Sequence, residues 1–278
     1  MVWMLLLACG SRSGCDDDQV YDHDTEDCVP YVAGEPVDAD VWSPAPGTSW
    51  QWQLTGRIDR SVEVTMYDVD VFEATDSDLD GLRADGRTVI CYFSAGSLET
   101  FRDDVGFVDE AAVGKKLDGW DDERWLDVTH PDVFELAARR LDLAVERGCD
   151  GVEPDNVDGY VNKTGFPLTP SEQLQFNRFL ADEAHVRGLS VGLKNDVDQL
   201  KRLEPWFDWA LNEECVAYDE CGTYTPFLDV DKAVFHTEYV DEVSEAAGLL
   251  SKVCGDRPSR FSTLVKTWDL GAEFFACD

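Results

Sequence analysis

From Trp50 onward, short runs of β-branched and aromatic residues alternate with longer amphipathic stretches, and this alternation is the main structural signal in the chain. The strand-like runs are VEVTMYDVD (62–70), TVICYFSAGS (88–97), RWLDV (124–128), GVEPDNVD (151–158), LSVGLKND (189–196), DWALNEEC (208–215), KAVFHTEY (232–239) and STLVKTWDL (262–270). Between them lie stretches such as PDVFELAARRLDLAVERG and TPSEQLQFNRFLADEAHVRG, each opening on a helix-start signal and closing on glycine. Eight strands alternating with helices predict a (β/α)8 TIM barrel rather than an open sheet.

Each run is apolar in its first half and polar at its C-terminal end. The tips are Asp68 and Asp70, Ser94, Asp127, Asp155 and Asn156, Lys194 and Asn195, Glu213, and Glu238. A barrel gathers these ends on one face, so the pattern predicts an acidic cup holding a single lysine. Two carboxylates across such a cup are the equipment for glycosidic bond cleavage: one protonates the leaving oxygen while the other attacks or activates water. Asp155 and Glu213 are the favoured pair. Asp155, Asp158 and Asn156 could instead hold a hard divalent cation, a reading that the Lys194 charge disfavours. No cofactor is expected. Tyr92 and Tyr239, each at a strand end, are better placed to reach sugar than Trp50, Trp52, Trp125, Trp206, Trp209 and Trp268, for which packing is expected.

Charge narrows the partners. The 278 residues carry 58 acidic against 23 basic side chains, a net charge of -35. Such a surface repels nucleic acid and anionic membranes and attracts cations or polycationic ligands; a saline habitat would produce the same composition.

The ends of the chain are read separately. MVWMLLLACGS resembles a lipoprotein signal segment (residues 1–9), with Cys9 as the lipidated residue and the only expected link to a membrane. Residues 10–45 are polar, acidic and proline-containing and read as a tether with one disulfide-closed loop; residues 46–278 form the barrel domain. Apart from Cys9, eight cysteines remain. Cys15 with Cys28, Cys215 with Cys221 and Cys254 with Cys277 are expected disulfides of an extracytoplasmic protein, whereas Cys91 and Cys149, in apolar strand contexts, are expected to be buried thiols. With four histidines and no Cys-x-x-Cys pair, a metal centre is not expected.

The blocks ICYFSAGSLETFRDD, RWLDV, GCDGVEPDNVDGY, VGLKND, ALNEECVAYDEC and AVFHTEY, in this order, resemble glycoside hydrolase family 114 over about Trp50 to Tyr239. That family contains endo-α-1,4-polygalactosaminidases, barrel enzymes that cut partly deacetylated galactosaminogalactan. The resemblance implies catalytic acids at Asp155 and Glu213, with Tyr92, Ser94, Asn156, Asp158, Lys194, Asn195 and Glu238 lining sugar subsites. Asp68 and Tyr239 are added from their strand-end positions. Pleat alternation alone leaves open whether Glu213 or Glu214 faces the cup. An acidic cleft suits a polymer of ammonium-bearing sugars. The other readings are a lipoprotein that binds a cationic polysaccharide without cutting it, and a metal-assisted hydrolase on the same barrel.

Overall fold

The computed structural model describes residues 14–277. The signal-like segment and Cys9 lie outside the described residues.

Eight parallel strands form the frame: β1 (Trp50–Gln53), β2 (Met66–Asp70), β3 (Thr88–Ser94), β4 (Gly151–Asp155), β5 (Ser190–Lys194), β6 (Trp209–Glu213), β7 (Val234–Val240) and β8 (Ser262–Thr267). They pair in sequence order, and a short antiparallel strand, Phe275–Ala276, adds to β8. The sheet curls into a TIM-type barrel. At the seam, Trp50 of β1 donates its indole N–H to the carbonyl of Ser262 on β8 at 2.9 Å.

Seven of the eight predicted strands belong to this sheet. RWLDV does not: Trp120–Leu126 pairs antiparallel with Ser97–Glu99 and Val113–Leu117 in a small sheet inserted between β3 and the helix Pro131–Glu146. Its place in the barrel is taken by β1, whose sequence WQWQ disguises a fully buried strand. Gln51 and Gln53 are tolerated there because each donates to backbone carbonyls, Gln51 to Ala272 and Gln53 to Thr55 and Arg57.

The bore is packed below the rim by Trp50, Met66, Ile90, Trp209, Leu211, Phe235 and Leu264. Room for these rings comes from Gly192, where a Cβ would lie 2.2 Å from the Trp209 ring. The outward-facing residues of the same strands, Val89, Cys91, Val152 and Val191 among them, pack under the helices. Thr169 caps Pro170–Val186 through a reciprocal pair with Glu172, and Gly188 follows that helix at φ 75°, the left-handed conformation that a non-glycine residue adopts only at a cost.

The acidic leader is not a free tether. Gln19–Asp22 and Asp27–Pro30 form a hairpin closed by Cys15–Cys28, and it docks on the helix Pro170–Val186. The Tyr21 N–H donates to Glu172, Ser171 Oγ to the Asp17 carbonyl, and Arg178 to the Tyr31 hydroxyl. Its polar composition hides this because many of the contacts are hydrogen bonds to helix side chains, with Val20 and Tyr31 supplying the apolar part.

The three expected disulfides are present, and Cys91 and Cys149 form a fourth. The correction follows from the strand order. With RWLDV outside the barrel, β3 and β4 are hydrogen-bonded neighbours, and Cys91 pairs in register with Val152, three residues beyond Cys149. This bridge closes a loop of 58 residues, so replacing both cysteines by alanine should cost about 4 kcal/mol. Urea midpoints of the variant and the parent check this; equal midpoints would show that the link does not stabilise the barrel.

Candidate active site

The C-terminal rim is organised around one ammonium. Lys194, at the end of β5, is 2 % exposed, and its Nζ lies 3.0 Å from Glu153 Oε1, 3.2 Å from Asp155 Oδ1 and 3.4 Å from Glu213 Oε2. Burial opposes its charge, but the charges of Asp155, Glu153 and Glu213 outweigh burial and hold its pKa well above the ordinary lysine value. It also sits over the Trp52 ring, 4.7 Å from the centroid. A cation therefore already stands where the divalent-ion reading would place one.

The residues following three charged strand tips share one conformation. Asn156 after Asp155, Asn195 after Lys194 and Glu214 after Glu213 have φ of 61°, 46° and 63°. Left-handed non-glycine residues cost about 1–3 kcal/mol each and concentrate at functional sites. Here they turn the chain sharply out of the sheet, which ends β6 at Glu213: Glu213 reaches Lys194, while Glu214, past the strand end, also lines the cleft.

Donors converge on both carboxyls. Asp155 accepts from the Tyr92 hydroxyl at 3.2 Å and from the Asn156 N–H at 2.7 Å, in addition to Lys194. Glu213 accepts from the Tyr239 hydroxyl at 2.5 Å and from Asn195 Nδ2 at 2.9 Å. Burial, then the neighbouring carboxylates, pushes both tyrosine hydroxyls well above their ordinary pKa, so they remain donors. Tyr239 stacks on Trp268 at 4.2 Å and an interplanar angle of 14°. Trp268 is 48 % exposed and presents a free face to the cleft, unlike the other five tryptophans assigned to packing, which are buried.

Beneath Lys194 lies a pair of carboxyls out of reach of solvent. Both oxygens of Asp68, and Glu153 Oε2, have no donor among the described residues, and the two side chains lie within hydrogen-bonding reach of each other. A proton between them resolves the conflict. Burial, then the Glu153 charge, raises Asp68 well above the carboxylate range, and burial raises Glu153 to about 7 although Lys194 pulls it down, so the pair holds one proton between them. Asp158, in the cleft wall, is raised to about 6 by burial and by the charge of Asp155.

The cleft above has a volume of about 1140 Å³ and includes Tyr92, Asp155, Asn156, Asp158, Lys194, Asn195, Glu213 and Tyr239 in its walls. Three predicted site residues do not line it. Asp68 lies underneath. Ser94 is fully buried and accepts from Asn156 Nδ2 at 2.9 Å, bracing that residue from behind. Glu238 points away: its Oε1 accepts from the backbone of Val216 and Ala217 and meets His236, so it fastens the loop after β6. Asp127 is likewise off the rim and accepts from Thr129. Cys215, Cys221 and His236 approach within 4.8 Å of one another, but the two sulfurs are joined as a disulfide and cannot serve as thiolate ligands.

The inserted sheet supplies the wall that strand reading missed: Lys115, Lys116, Asp118, Trp120, Asp121, Asp122 and Glu123. Its signal was the Asp118-Gly119 turn between alternating runs, a hairpin signature. A buried ion network fastens this sheet to the barrel, with Arg102 joining Asp70 to Glu99 at 2.6 and 3.1 Å, and Arg140 joining Glu99 to Asp104.

The model of the glycoside hydrolase family GH114 matches residues 32–278. A crystal structure of Aspergillus fumigatus Ega3 in complex with galactosamine is similar at a TM-score of 0.83 and 40% identity, over 88% of this chain and 100% of that one. The glycoside hydrolase domain of PelA from Pseudomonas aeruginosa is similar at a TM-score of 0.63 and 14% identity, over 83% and 98% of the two chains; that likeness shows the fold alone. No curated protein matches the chain.

Proposed function

Since the chain belongs to glycoside hydrolase family 114, we propose that it cleaves α-1,4-linked galactosamine-containing polysaccharide at internal bonds, with Asp155 as nucleophile and Glu213 as acid and base. The observation that carries this reading is the clasp of both carboxyls around one ammonium at the floor of an open cleft. An oxygen of each lies within 3.4 Å of the same nitrogen, which favours the carboxyl spacing of roughly 5–5.5 Å used for retention over the 6.5–9.5 Å that admits a water.

Asp155 and Glu213 each meet three donors, Lys194 among them; Asp155 is the less exposed of the two, 19 % against 27 %, which suits an attacking carboxylate, while the more open Glu213 suits proton exchange with the leaving group and water. One Asp155 oxygen bonds to the anomeric carbon while the C1–O bond breaks and the leaving oxygen takes the Glu213 proton. Water then returns a proton to Glu213 and its hydroxide displaces Asp155 from C1 with net retention. Lys194 keeps the nucleophile charged, and the Trp268–Tyr239 stack offers a platform for a sugar face.

The substrate class follows from the galactosamine held by the 40% identical relative and from the acidic walls of this cleft. A cleft running from Trp120 to Trp268 has room for more than one sugar unit, in keeping with internal cleavage. Four disulfides support an extracellular or periplasmic setting; among the described residues no helix is long and apolar enough to cross a membrane.

The test is incubation with deacetylated α-1,4-galactosamine polymer and with a neutral α-galactan, reading new reducing ends. Cleavage of the first and not the second is expected; the reverse would sink the substrate assignment. Binding of the cationic polymer should also weaken steeply as salt rises, because charges at an open surface are screened beyond about 8 Å at physiological ionic strength. Affinity unchanged between 0.05 and about 0.5 M salt would mean that stacking and neutral hydrogen bonds dominate.

A further inference from the structure

We propose that Glu123, on the inserted sheet that overhangs the cleft, reads a free ammonium group on the substrate and makes the enzyme selective for deacetylated sugar. This rests on the reading of the cleft as a galactosamine-polymer site and names the residue that would set its selectivity.

Glu123 lies on Trp120–Leu126 directly opposite Glu99 on the paired strand. The two acids are treated differently. Glu99 is neutralised by Arg102 and Arg140, whereas no cation pairs with Glu123 among the described residues. Three of the basic groups nearby are engaged elsewhere, Arg102 with Asp70, Glu73 and Glu99, Arg124 with Glu110, and Lys116 with Asp121, while Lys115 and Lys163 also line the cleft without an ion pair to Glu123 among the described residues.

A single hydroxyl holds the carboxylate. Ser97 Oγ donates to Glu123 Oε2 at 2.6 Å, and behind it the donors run one way, from Asn156 Nδ2 to Ser94 Oγ at 2.9 Å and from Ser94 Oγ to Ser97 Oγ at 2.6 Å. This chain starts next to Asp155 and ends on Glu123, so its hydroxyl protons are spent. The other carboxylate oxygen, Oε1, has the cleft as its source of a donor.

The charged neighbours make that donor's charge decisive. Glu99 from the paired strand and Asp155 from β4 repel a charge at Glu123, the Tyr92 hydroxyl from β3 is committed to Asp155, and Arg102 draws only weakly on it. Burial first, then Glu99 and Asp155, raises the Glu123 pKa to about 7. A half-desolvated carboxylate without a cation is costly, and a bound ammonium removes that cost while an N-acetyl group cannot. Because the raised acid must ionise to pair, while the sugar ammonium, like an α-amino group, loses its proton at about 7.7–8, preference for the deacetylated polymer should rise as pH approaches 7 and fall again above it.

The test compares wild type and Glu123→Gln on fully deacetylated and fully N-acetylated α-1,4-galactosamine polymers, measuring kcat/KM for each from pH 5 to about 8. Gln still accepts the Ser97 hydroxyl, so the sheet should stay in place. The variant should lose about tenfold or more in kcat/KM on the deacetylated polymer, mostly through KM, with little change on the acetylated one. The ratio of the two substrates should lose its rise towards pH 7 and keep only the fall set by the polymer's own amine at about 7.7–8; titration of Glu153 acts on both polymers alike and cancels in the ratio. Equal losses on both polymers, or an unchanged ratio, would overturn the assignment while leaving the glycosidase reading intact. Wild type inert on both polymers would overturn that reading and this assignment with it.

Discussion

Asp155→Asn should fold normally and lose at least about 10³-fold in kcat, a barrier increase of about 4 kcal/mol. The amide keeps an oxygen for the Tyr92 hydroxyl, which now reaches Asp155 at 3.2 Å, but it cannot bond covalently to the anomeric carbon as a carboxylate does. Glu213→Gln should suffer comparably on polymer, where the leaving oxygen needs a proton, and much less in the first step on a substrate with an activated leaving group. Polymer binding should survive in both variants, because only interactions made in the transition state are removed. Turnover above about a tenth of wild type for Asp155→Asn, a loss under about 1.4 kcal/mol, would remove Asp155 from the mechanism.

Lys194→Met should be the most damaging substitution for stability. It leaves Glu153, Asp155 and Glu213 facing one another around a vacated position, with Glu153 fully buried. Removing one partner of a buried pair costs about 3–5 kcal/mol. The carboxyls can relieve this only by binding protons, so the folded variant should bind more protons than its unfolded chain, and its deficit should shrink as pH falls from 7 to about 5. In wild type the sign for Lys194 itself is the reverse of a carboxylate's. Its raised pKa means that its contribution is complete at neutral pH and is lost only as pH rises past the ordinary lysine range. Adding Glu153→Gln should restore part of the stability but no activity. Urea unfolding at both pH values checks this, and a Lys194→Met deficit under about 1 kcal/mol at pH 7 would show that the clasp is not a buried charge centre.

Much of this architecture was legible in the chain because barrel strands carry two signals at once, an apolar start and a polar tip. Asp155, Lys194 and Glu213 were found in this way, and the structure brings them to one point. Two of the misreadings share a root in the insertion after β3. RWLDV alternates like a barrel strand but pairs antiparallel at the rim, and placing it between β3 and β4 separated Cys91 from Cys149 on paper. WQWQ does not read as a strand because glutamine disfavours burial unless its amide is satisfied, and the partners here, residues 55, 57 and 272, include one remote in sequence. Glu238 shares the strand-tip signature of Glu213, yet the neighbouring parities along β7 send Tyr239 into the cleft and Glu238 to the loop backbone. Side-chain parity at a strand end depends on where the strand stops, and left-handed residues such as Glu214, which set that point, leave no mark in hydropathy.

The covalent step is the claim on which the rest depends. Glu213→Gln, given an α-galactosaminide with an activated leaving group, should form the glycosyl-enzyme without needing an acid and then stall, because no base remains to activate water. Acid quenching followed by mass mapping of peptides should place one galactosaminyl group on Asp155. Turnover with no adduct at any time point, or an adduct on another carboxylate, would contradict the account.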